Sequence, residues 1–111
     1  MTRVLVGPFS ALVRAGLDDL LRRPGLQVVH ADAGDLRAKL LAELPDVVLL
    51  DLDAPEARET ARRISTDFPA LTVVACSSVD PTMRIYPRFH HGESYTRPLA
   101  AETALTDAVA G

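Results

Sequence analysis

The chain has a single cysteine, Cys76, and lacks any long apolar run. One cysteine cannot form an internal disulfide, and because Cys76 lies within an apolar stretch we interpret it as a small core residue. Hydrophobic residues make up 48% of the chain, yet no run of them approaches the roughly 18 residues that a membrane span requires. The first residues lead directly into a strand pattern, without the basic and apolar regions of a signal peptide. The sequence therefore predicts a cytoplasmic protein without membrane association.

Strong net charge, metal-ligand clusters and catalytic sets are also missing. The formal net charge is −3, which argues against non-specific nucleic-acid binding by these residues alone. His90 and His91 are adjacent, so their side chains diverge, and no metal-ligating residue stands at a suitable spacing beside them. His30 ends a predicted strand, where we expect a hydrogen-bonded structural role. Scattered serines give no nucleophile–base pattern, and Gly7-Pro8 contains too little glycine for a phosphate-binding loop. The sequence therefore predicts neither an enzyme nor a metal or cofactor site.

Two kinds of segment alternate along the 111 residues, a length typical of one domain. Short β-branched runs are separated by longer stretches whose apolar residues recur at helical spacing, which predicts successive strand–helix units. The predicted strands are residues 3–6, 26–30, 47–50 and 72–76. Strands this continuously apolar are usually covered by helices on both faces. We therefore expect one domain over residues 1–111 with an α/β fold, a doubly wound (βα)5-like sandwich around a parallel sheet.

The helical spacing also predicts which residues face the core. The predicted apolar positions are Leu12, Gly16, Leu17, Leu20 and Leu21 in a first helix, Leu36, Leu40 and Leu44 in a second, and Ala57, Ala61, Ile64 and Phe68 in a third over residues 56–67. A last helix is predicted over residues 99–110. In residues 80–95, Pro81 can begin a helix but Pro87 would break it after about one turn. We therefore expect a short or distorted fourth helix there, followed by a fifth strand near residues 93–96.

These residues together resemble the receiver domain of bacterial response regulators, in particular receivers attached to LuxR/NarL-type helix-turn-helix domains. Arg3-Val4-Leu5-Val6, followed by Leu12-Val13-Arg14-Ala15-Gly16-Leu17, is similar to the opening strand and first helix of that family, and residues 45–52 continue the likeness through the third strand. The resemblance extends over essentially the whole chain. It implies a CheY-like, flavodoxin-like fold and a role in two-component signal transduction and transcription regulation.

The resemblance also assigns family positions to single residues. Asp51 falls on the phospho-accepting aspartate and Ser77 on the small hydroxyl residue after the fourth strand. Arg97 falls on the lysine that precedes a proline, which is Pro98 here. Asp51 and Arg97 are therefore expected to form an ion pair.

The chain departs from this family at the residues that bind metal. Where such receivers carry two acidic residues after the first strand, this chain has Pro8 and Phe9, neither of which can bind a cation. Mg²⁺ prefers carboxylate oxygens in near-octahedral geometry, so Asp51 would be the only obvious side-chain ligand. Asp53 and Glu56 carry the other nearby carboxylates, and we do not expect them to replace the missing pair. Because phosphoryl transfer depends on the metal, the sequence predicts a receiver without its phosphorylation chemistry.

The first functional hypothesis is a phosphorylation-independent pseudo-receiver that acts as a protein-interaction module. In ordinary receivers the last helix–strand–helix face contacts partners, and this face corresponds here to residues 83–110. Its predicted surface residues are Met83, Arg84, Tyr86 and Phe89, a composition suited to an interface, although some of them could simply cover the sheet. The expected partner is another protein or a second copy of the chain. DNA binding is expected only through a fused domain beyond Gly111.

A second hypothesis belongs to another class, a sensor whose small-molecule ligand enters the pocket that the acidic pair has vacated. Ligands of open α/β sheets bind at the carboxyl ends of the strands. The predicted pocket residues are Pro8, Phe9, Ser77 and Arg97, around Asp51. A third hypothesis is a conventional receiver that is phosphorylated on Asp51 despite its unusual pocket.

Overall fold

The computed structural model describes residues 1–99 and 104–110, which form six strands and four helices. In chain order the elements are β1 (Thr2–Val6), α1 (Ala11–Leu21), β2 (Leu26–His30), α2 (Leu36–Glu43), β3 (Val47–Asp51), α3 (Ala57–Asp67), β4 (Thr72–Cys76), β5 (Thr82–Tyr86), β6 (Tyr95–Pro98) and α4 (Ala104–Ala110). Strands and helices alternate as far as β4, after which the strands β5 and β6 follow without an intervening helix. None of the described helices is long and apolar enough to cross a membrane.

All six strands belong to one sheet in the order β2-β1-β3-β4-β5-β6. The first four of these strands are parallel, whereas β5 and β6 run antiparallel to their neighbours. The chain moves outward from β1 to β2 and then returns to the other side of β1 to form β3. This reversal opens a crevice at the carboxyl ends of β1 and β3, the usual ligand position in such sheets. The predicted α/β fold of flavodoxin-like, CheY-like type is confirmed.

The sheet separates two apolar cores. One core lies between the sheet and the helices α1 and α4, and it contains Val4, Val6, Leu17, Leu21, Val47, Leu49, Val74, Cys76, Met83, Ile85, Leu105 and Val109. The other lies under α2 and α3, and it contains Leu5, Ala31, Leu40, Val48, Leu50, Ala61, Ile64, Leu71, Val73, Ala75 and Tyr86. Burial on both faces explains why β1, β3 and β4 are apolar without alternation. The sequence-based assignment of Cys76 to the core is confirmed.

The short fourth helix predicted within residues 80–95 is wrong, because this segment forms the strand β5. Residues 77–81 alone connect β4 to β5, and a parallel return would need a crossover of about a dozen residues. The short connection therefore forces an antiparallel hairpin. Within β5, Met83 and Ile85 face the core under α1 and α4, while Tyr86 faces the opposite core. The period-two alternation of this segment was the signal for a strand.

The strand predicted near residues 93–96 is found as β6, shifted to Tyr95–Pro98. It pairs with β5 rather than directly with β4, so it lies at the edge of the sheet. The last helix, predicted over residues 99–110, is observed as α4 from Ala104, and residues 100–103 lie outside the described residues. Leu99 is not helical, and its amide donates to the carbonyl of Pro81 at 2.8 Å, which extends the β5–β6 pairing.

Two leucines assigned to helix faces point to solvent instead. Leu12 in the first turn of α1 is 85% exposed, whereas Leu17 and Leu21 of the same helix are buried as predicted. Leu44 is 73% exposed because α2 ends at Glu43 and Leu44 takes a left-handed conformation with a φ of 45°. Helical spacing therefore located the buried stripes of α1 and α2 correctly. It extended the stripe too far at the start of α1 and at the end of α2.

Candidate functional site

The carboxyl ends of β1, β3 and β4 bring the candidate residues to one edge of the sheet. Asp51, the last residue of β3, lies opposite Cys76, the last residue of β4. The segments that follow these two strand ends therefore run side by side. Asp53 stands two residues beyond one strand end, and Ser77 and Ser78 follow the other.

The carboxylate of Asp51 is half-buried and is held by its own loop. Its Oδ1 accepts a hydrogen bond from the backbone amide of Asp53 at 2.9 Å. Among the described residues, no Lys, Arg or His forms a salt bridge with Asp51. Asp51 is therefore an anion at a strand end whose stabilisation comes from a neutral amide.

Asp53 collects the hydrogen-bond donors of the loop between β4 and β5. Its Oδ1 accepts from the Ser77 hydroxyl at 2.6 Å. Its Oδ2 accepts from the Ser78 amide at 2.8 Å, the Ser78 hydroxyl at 3.1 Å and the Val79 amide at 3.3 Å. Both carboxylate oxygens are thus engaged, and all four donors are neutral groups of three consecutive residues.

Ser77 is buried and its hydroxyl links this carboxylate to the rest of the loop. While Oγ donates to Asp53, it accepts from the amides of Val79 at 3.2 Å and Asp80 at 2.9 Å. A hydroxyl has one proton to donate, and that proton is committed to Asp53. Ser77 therefore has no proton left for a second anion bound beside Asp51.

The environment changes the proton affinity of two groups at this edge. The hydrogen bond from the Ser77 hydroxyl, followed by that from the Ser78 amide, lowers the pKa of the Asp53 carboxyl below its ordinary value. Burial, with a smaller contribution from the charge of Asp51, raises the pKa of the Cys76 thiol to about 12. Cys76 is thus an inert thiol at neutral pH, and Asp53 is a stabilised anion.

An open cleft of about 560 Å³ lies above this edge, between α1 and α4. It is lined by Phe9, Ser10, Val13, Gly16, Leu17, Leu20, Asp51, Cys76, Ser77, Ser78, Leu99 and Leu105. The structure thus brings together Phe9, Asp51 and Ser77, as predicted for the pocket. Pro8 and Arg97, the other two predicted pocket residues, do not line this cleft.

Arg97 does not reach Asp51, and the predicted ion pair between them is wrong. Arg97 lies on β6, so β4 and β5 stand between its strand and β3. Three inter-strand spacings of about 4.8 Å separate these strands by about 14 Å. The guanidinium instead lies 5.5 Å from the centroid of the Tyr95 ring. The insertion of β5 into the sheet is the physical reason for this separation.

The residues at this edge do not suit the Mg²⁺ ion that receivers of this type use. Pro8 and Phe9 offer no side-chain oxygen, and the carboxylate of Asp53 is turned to the serines. No cluster of three or more His, Cys, Asp or Glu residues suitable for a metal ion exists within residues 1–99 and 104–110. Asp51 would be a single carboxylate ligand, which is too few for tight Mg²⁺ binding.

The predicted interaction surface requires correction at two of its four residues. Met83 and Tyr86 are 1% and 3% exposed, so both belong to the cores and cannot anchor a partner. Arg84 is partly buried and donates to the Ser94 hydroxyl at 2.9 Å. Phe89 is 62% exposed and remains available. Met83 and Tyr86 are buried because helices cover both faces of the sheet, α1 and α4 on the side of Met83 and α2 and α3 on the side of Tyr86.

Sequence reasoning considered Asp53 only as a replacement metal ligand and missed its contacts with the serines. The sequence nevertheless contained a signal for these contacts. Asp53 follows the end of β3 by as many residues as Ser78 follows the end of the neighbouring strand β4, so the two residues are expected to lie side by side. The expected structural role of His30 is confirmed, since its Nε2 lies 2.9 Å from Oδ1 of Asp18.

Comparison with known proteins adds independent evidence. No protein-family model matches the chain. It is 40% identical over 82 residues to two proteins of Cereibacter sphaeroides, the protein-glutamate methylesterase/protein-glutamine glutaminase of group 3 operon and protein-glutamate methylesterase/protein-glutamine glutaminase 1. Each of these two matches covers 69% of this chain and 22% of the relative. It is 38% identical over 80 residues to the protein of that name in Archaeoglobus fulgidus, covering 69% of this chain and 23% of the relative. The chain thus spans less than a quarter of these relatives.

The matched portion of these methylesterases is a CheY-like receiver domain. The similarity therefore supports a receiver domain of two-component signalling in this chain. The relatives found are methylesterases, so the LuxR/NarL-type subfamily and a link to transcription stay predictions.

Proposed function

We propose that the chain is an atypical receiver domain that signals as a protein-interaction module without phosphorylation of Asp51. One observation carries the proposal: the groups around Asp51 are either absent or already engaged. Pro8 and Phe9 take the positions of the acidic pair, and Asp53 holds the Ser77 hydroxyl. The site therefore offers neither a metal-binding set nor free donors for an incoming phosphoryl group.

The energetic consequence is large because phosphoryl transfer depends on electrostatic stabilisation. Charge on the transferred group is ordinarily neutralised by a metal ion and by positive side chains. Here Arg97 lies over Tyr95 on another strand, and the nearby anion Asp53 would repel the phosphoryl group. A loss of about 4 kcal/mol of stabilisation slows transfer about a thousandfold. We therefore assign no catalytic role to these residues.

The output of the domain is a binding surface in this proposal. Phe89, within the connection between β5 and β6, and Tyr95, the first residue of β6, are exposed aromatic residues, and Arg97 adds a cation beside Tyr95. Exposed aromatic and arginine side chains are typical of protein interfaces. We propose that this surface binds a second copy or another protein in the cytoplasm. Any contact with DNA or effect on transcription would come from a fused domain.

Reaction with a small phosphoryl donor tests the proposal. The parent protein, incubated with phosphoramidate and Mg²⁺, is expected to show no mass increase of a phosphoryl group on Asp51. Thermal unfolding with beryllofluoride and Mg²⁺ should likewise show no stabilisation. Asp51→Asn is the matched control for reaction elsewhere on the chain. Stoichiometric phosphorylation that Asp51→Asn abolishes would establish the conventional receiver instead.

The cleft favours a second candidate function, a small-molecule sensor. Its volume of about 560 Å³ lies within the usual range for ligand pockets, about 300–1,000 Å³, and its walls are mostly apolar. Gly16 lines the cleft, and a β-carbon at this position would meet no atom within 4 Å. Gly16→Leu should therefore fill the cleft without disturbing the core. A metabolite that stabilises the parent but not Gly16→Leu would support the sensor.

A further inference from the structure

We propose that residues 77–79 form an oxyanion-binding site that the chain fills with its own Asp53 carboxylate. Asp53 would thus act as a permanent internal ligand that joins the loop after β3 to the loop after β4. This inference deepens the proposed function, on which it rests for its biological meaning, because it explains what replaces a phosphoryl group at this edge. The ligand class of the site is a small carboxylate or phosphate.

The geometry of the donors resembles that of a site built for an anion. Two consecutive amides, those of Ser78 and Val79, point at the same carboxylate oxygen, Oδ2 of Asp53. Successive amides converging in this way form a concave anion-binding arrangement of the backbone. The Ser77 hydroxyl engages the other oxygen, Oδ1. Both oxygens of one carboxylate are thereby held from a single loop.

The loop is organised around this anion. The amide of Asp80 donates to Ser77 Oγ, which in turn donates to Asp53. Without an acceptor in the position of Asp53, the Ser77 proton and the Ser78 amide would both lose their partners. The Asp53 amide in turn donates to Asp51, so the arrangement extends to the end of β3. One carboxylate therefore positions two loops that are far apart in the sequence.

Within the described part of the chain, no cation takes part in these contacts. All four donors to Asp53 are hydroxyls or backbone amides. The lowered pKa of the Asp53 carboxyl agrees with preferential binding of the charged form by these neutral donors. A phosphoryl group or free anion entering beside Asp51 would have to displace Asp53 and overcome its charge.

Removal of the internal ligand should open the site to an external one. In Asp53→Ala the carboxylate is missing, and formate supplies the same group without the rest of the side chain. We expect formate to raise the thermal unfolding temperature of Asp53→Ala saturably, and to shift the NMR amide signals of Ser78 and Val79. The affinity of Asp53→Ala for formate should exceed the affinity of the parent for formate by about tenfold or more, which is the ratio expected for one charge-assisted hydrogen bond.

Asp80→Ala is the matched control. It removes one carboxylate from the same loop, and only the backbone of Asp80 takes part in the described hydrogen bonds. The net charge therefore changes equally, while the donors remain occupied by Asp53. A formate response as large in Asp80→Ala or in the parent as in Asp53→Ala would overturn the proposal. Inorganic phosphate, tested in the same way, separates a site for carboxylates from one that also admits phosphate.

A measurement on the parent covers the case in which Asp53→Ala does not fold. The carboxyl carbon of Asp53, followed by NMR during acid titration, should show a lowered pKa that rises in Ser77→Ala. An unchanged Asp53 titration in Ser77→Ala would contradict the proposal.

The phosphoramidate experiment keeps the two proposals apart. Phosphorylated parent with a formate-responsive Asp53→Ala would refute only the proposed function, and an unphosphorylated parent without any formate response would refute only the anion site.

Discussion

Gly7 donates its backbone amide to the carbonyl oxygen of Leu49 at 2.9 Å, and a β-carbon at position 7 would stand 3.1 Å from that same oxygen. A second contact, 3.2 Å to Cδ2 of Leu50, closes the space on another side. The end of β1 therefore approaches β3 more closely than a larger residue allows. Glycine at this position brings the segment containing Pro8 and Phe9 against the strand that ends at Asp51.

Gly7→Ala should lower the free energy of unfolding by about 1–3 kcal/mol, because the added methyl overpacks a site bounded by backbone. Gly16→Ala is the control, since a β-carbon there meets nothing within 4 Å and Gly16 lies within a helix. That substitution should stabilise the fold by about 1 kcal/mol. Urea denaturation of both variants measures the difference, and equal shifts of the two midpoints would contradict the packing argument.

The parent should not bind Mg²⁺ at millimolar concentration, whereas the double variant Pro8→Asp, Phe9→Asp should gain saturable binding. The reason is that two carboxylates beside Asp51 would supply the hard oxygens that Mg²⁺ requires. Calorimetric titration of both proteins, with NMR shifts around Asp51, provides the measurement. Adding Asp51→Asn to the double variant should weaken the binding again. Saturable binding by the parent would show that other oxygens complete the site.

Asp51→Asn should change the free energy of unfolding by less than about 1 kcal/mol, because its described side-chain hydrogen bond comes from the amide of Asp53, and an asparagine oxygen can still accept it. The ion pair with Arg97 that the sequence predicted would have made the loss larger, but Arg97 lies over Tyr95 instead. Partner binding should also persist. Denaturation and a pull-down with the folded variant provide the measurements, and lost binding would favour phosphorylation.

Cys76 should resist alkylation by iodoacetamide at pH 8 in the folded protein and react after denaturation, because its pKa is raised to about 12 by burial and then by Asp51. A raised folded-state pKa stabilises the fold below the unfolded value, near pH 9.0, and this stability is lost as the pH rises towards about 12. Denaturation midpoints across that window should fall more steeply for the parent than for Cys76→Ala. Parallel pH profiles would remove Cys76 as the cause.

Tyr86→Ala should lower the free energy of unfolding by about 3–5 kcal/mol, since the ring is 3% exposed and leaves a large cavity. Phe89→Ala should stay within about 0.5 kcal/mol because Phe89 is 62% exposed. Of these two substitutions, Phe89→Ala is therefore the one that tests the proposed interaction surface without unfolding the domain. Sedimentation and partner-binding curves of Phe89→Ala that overlay those of the parent would place the interface elsewhere.

The three strand–helix units before β4 could be predicted from residue types alone. Residues 47–50 and 73–76 are continuous apolar runs, and such runs indicate strands buried on both faces wherever they occur. The loss of the acidic pair was equally visible, because Pro8 and Phe9 lack oxygen ligands in any conformation. These conclusions depend on the chemistry of single residues and on local periodicity, which a sequence contains directly.

The tertiary structure decided what depends on pairing between distant segments. Pro81 and Pro87 suggested a broken helix, but hydrogen bonds to β4 and β6 on its two sides make β5 a strand, bury Tyr86 and separate Arg97 from Asp51. The contacts of Asp53 likewise join it to residues 24 to 26 positions away. Backbone preference is local, whereas strand order and carboxylate partners are set by which segments meet in three dimensions, so only the folded chain determines them.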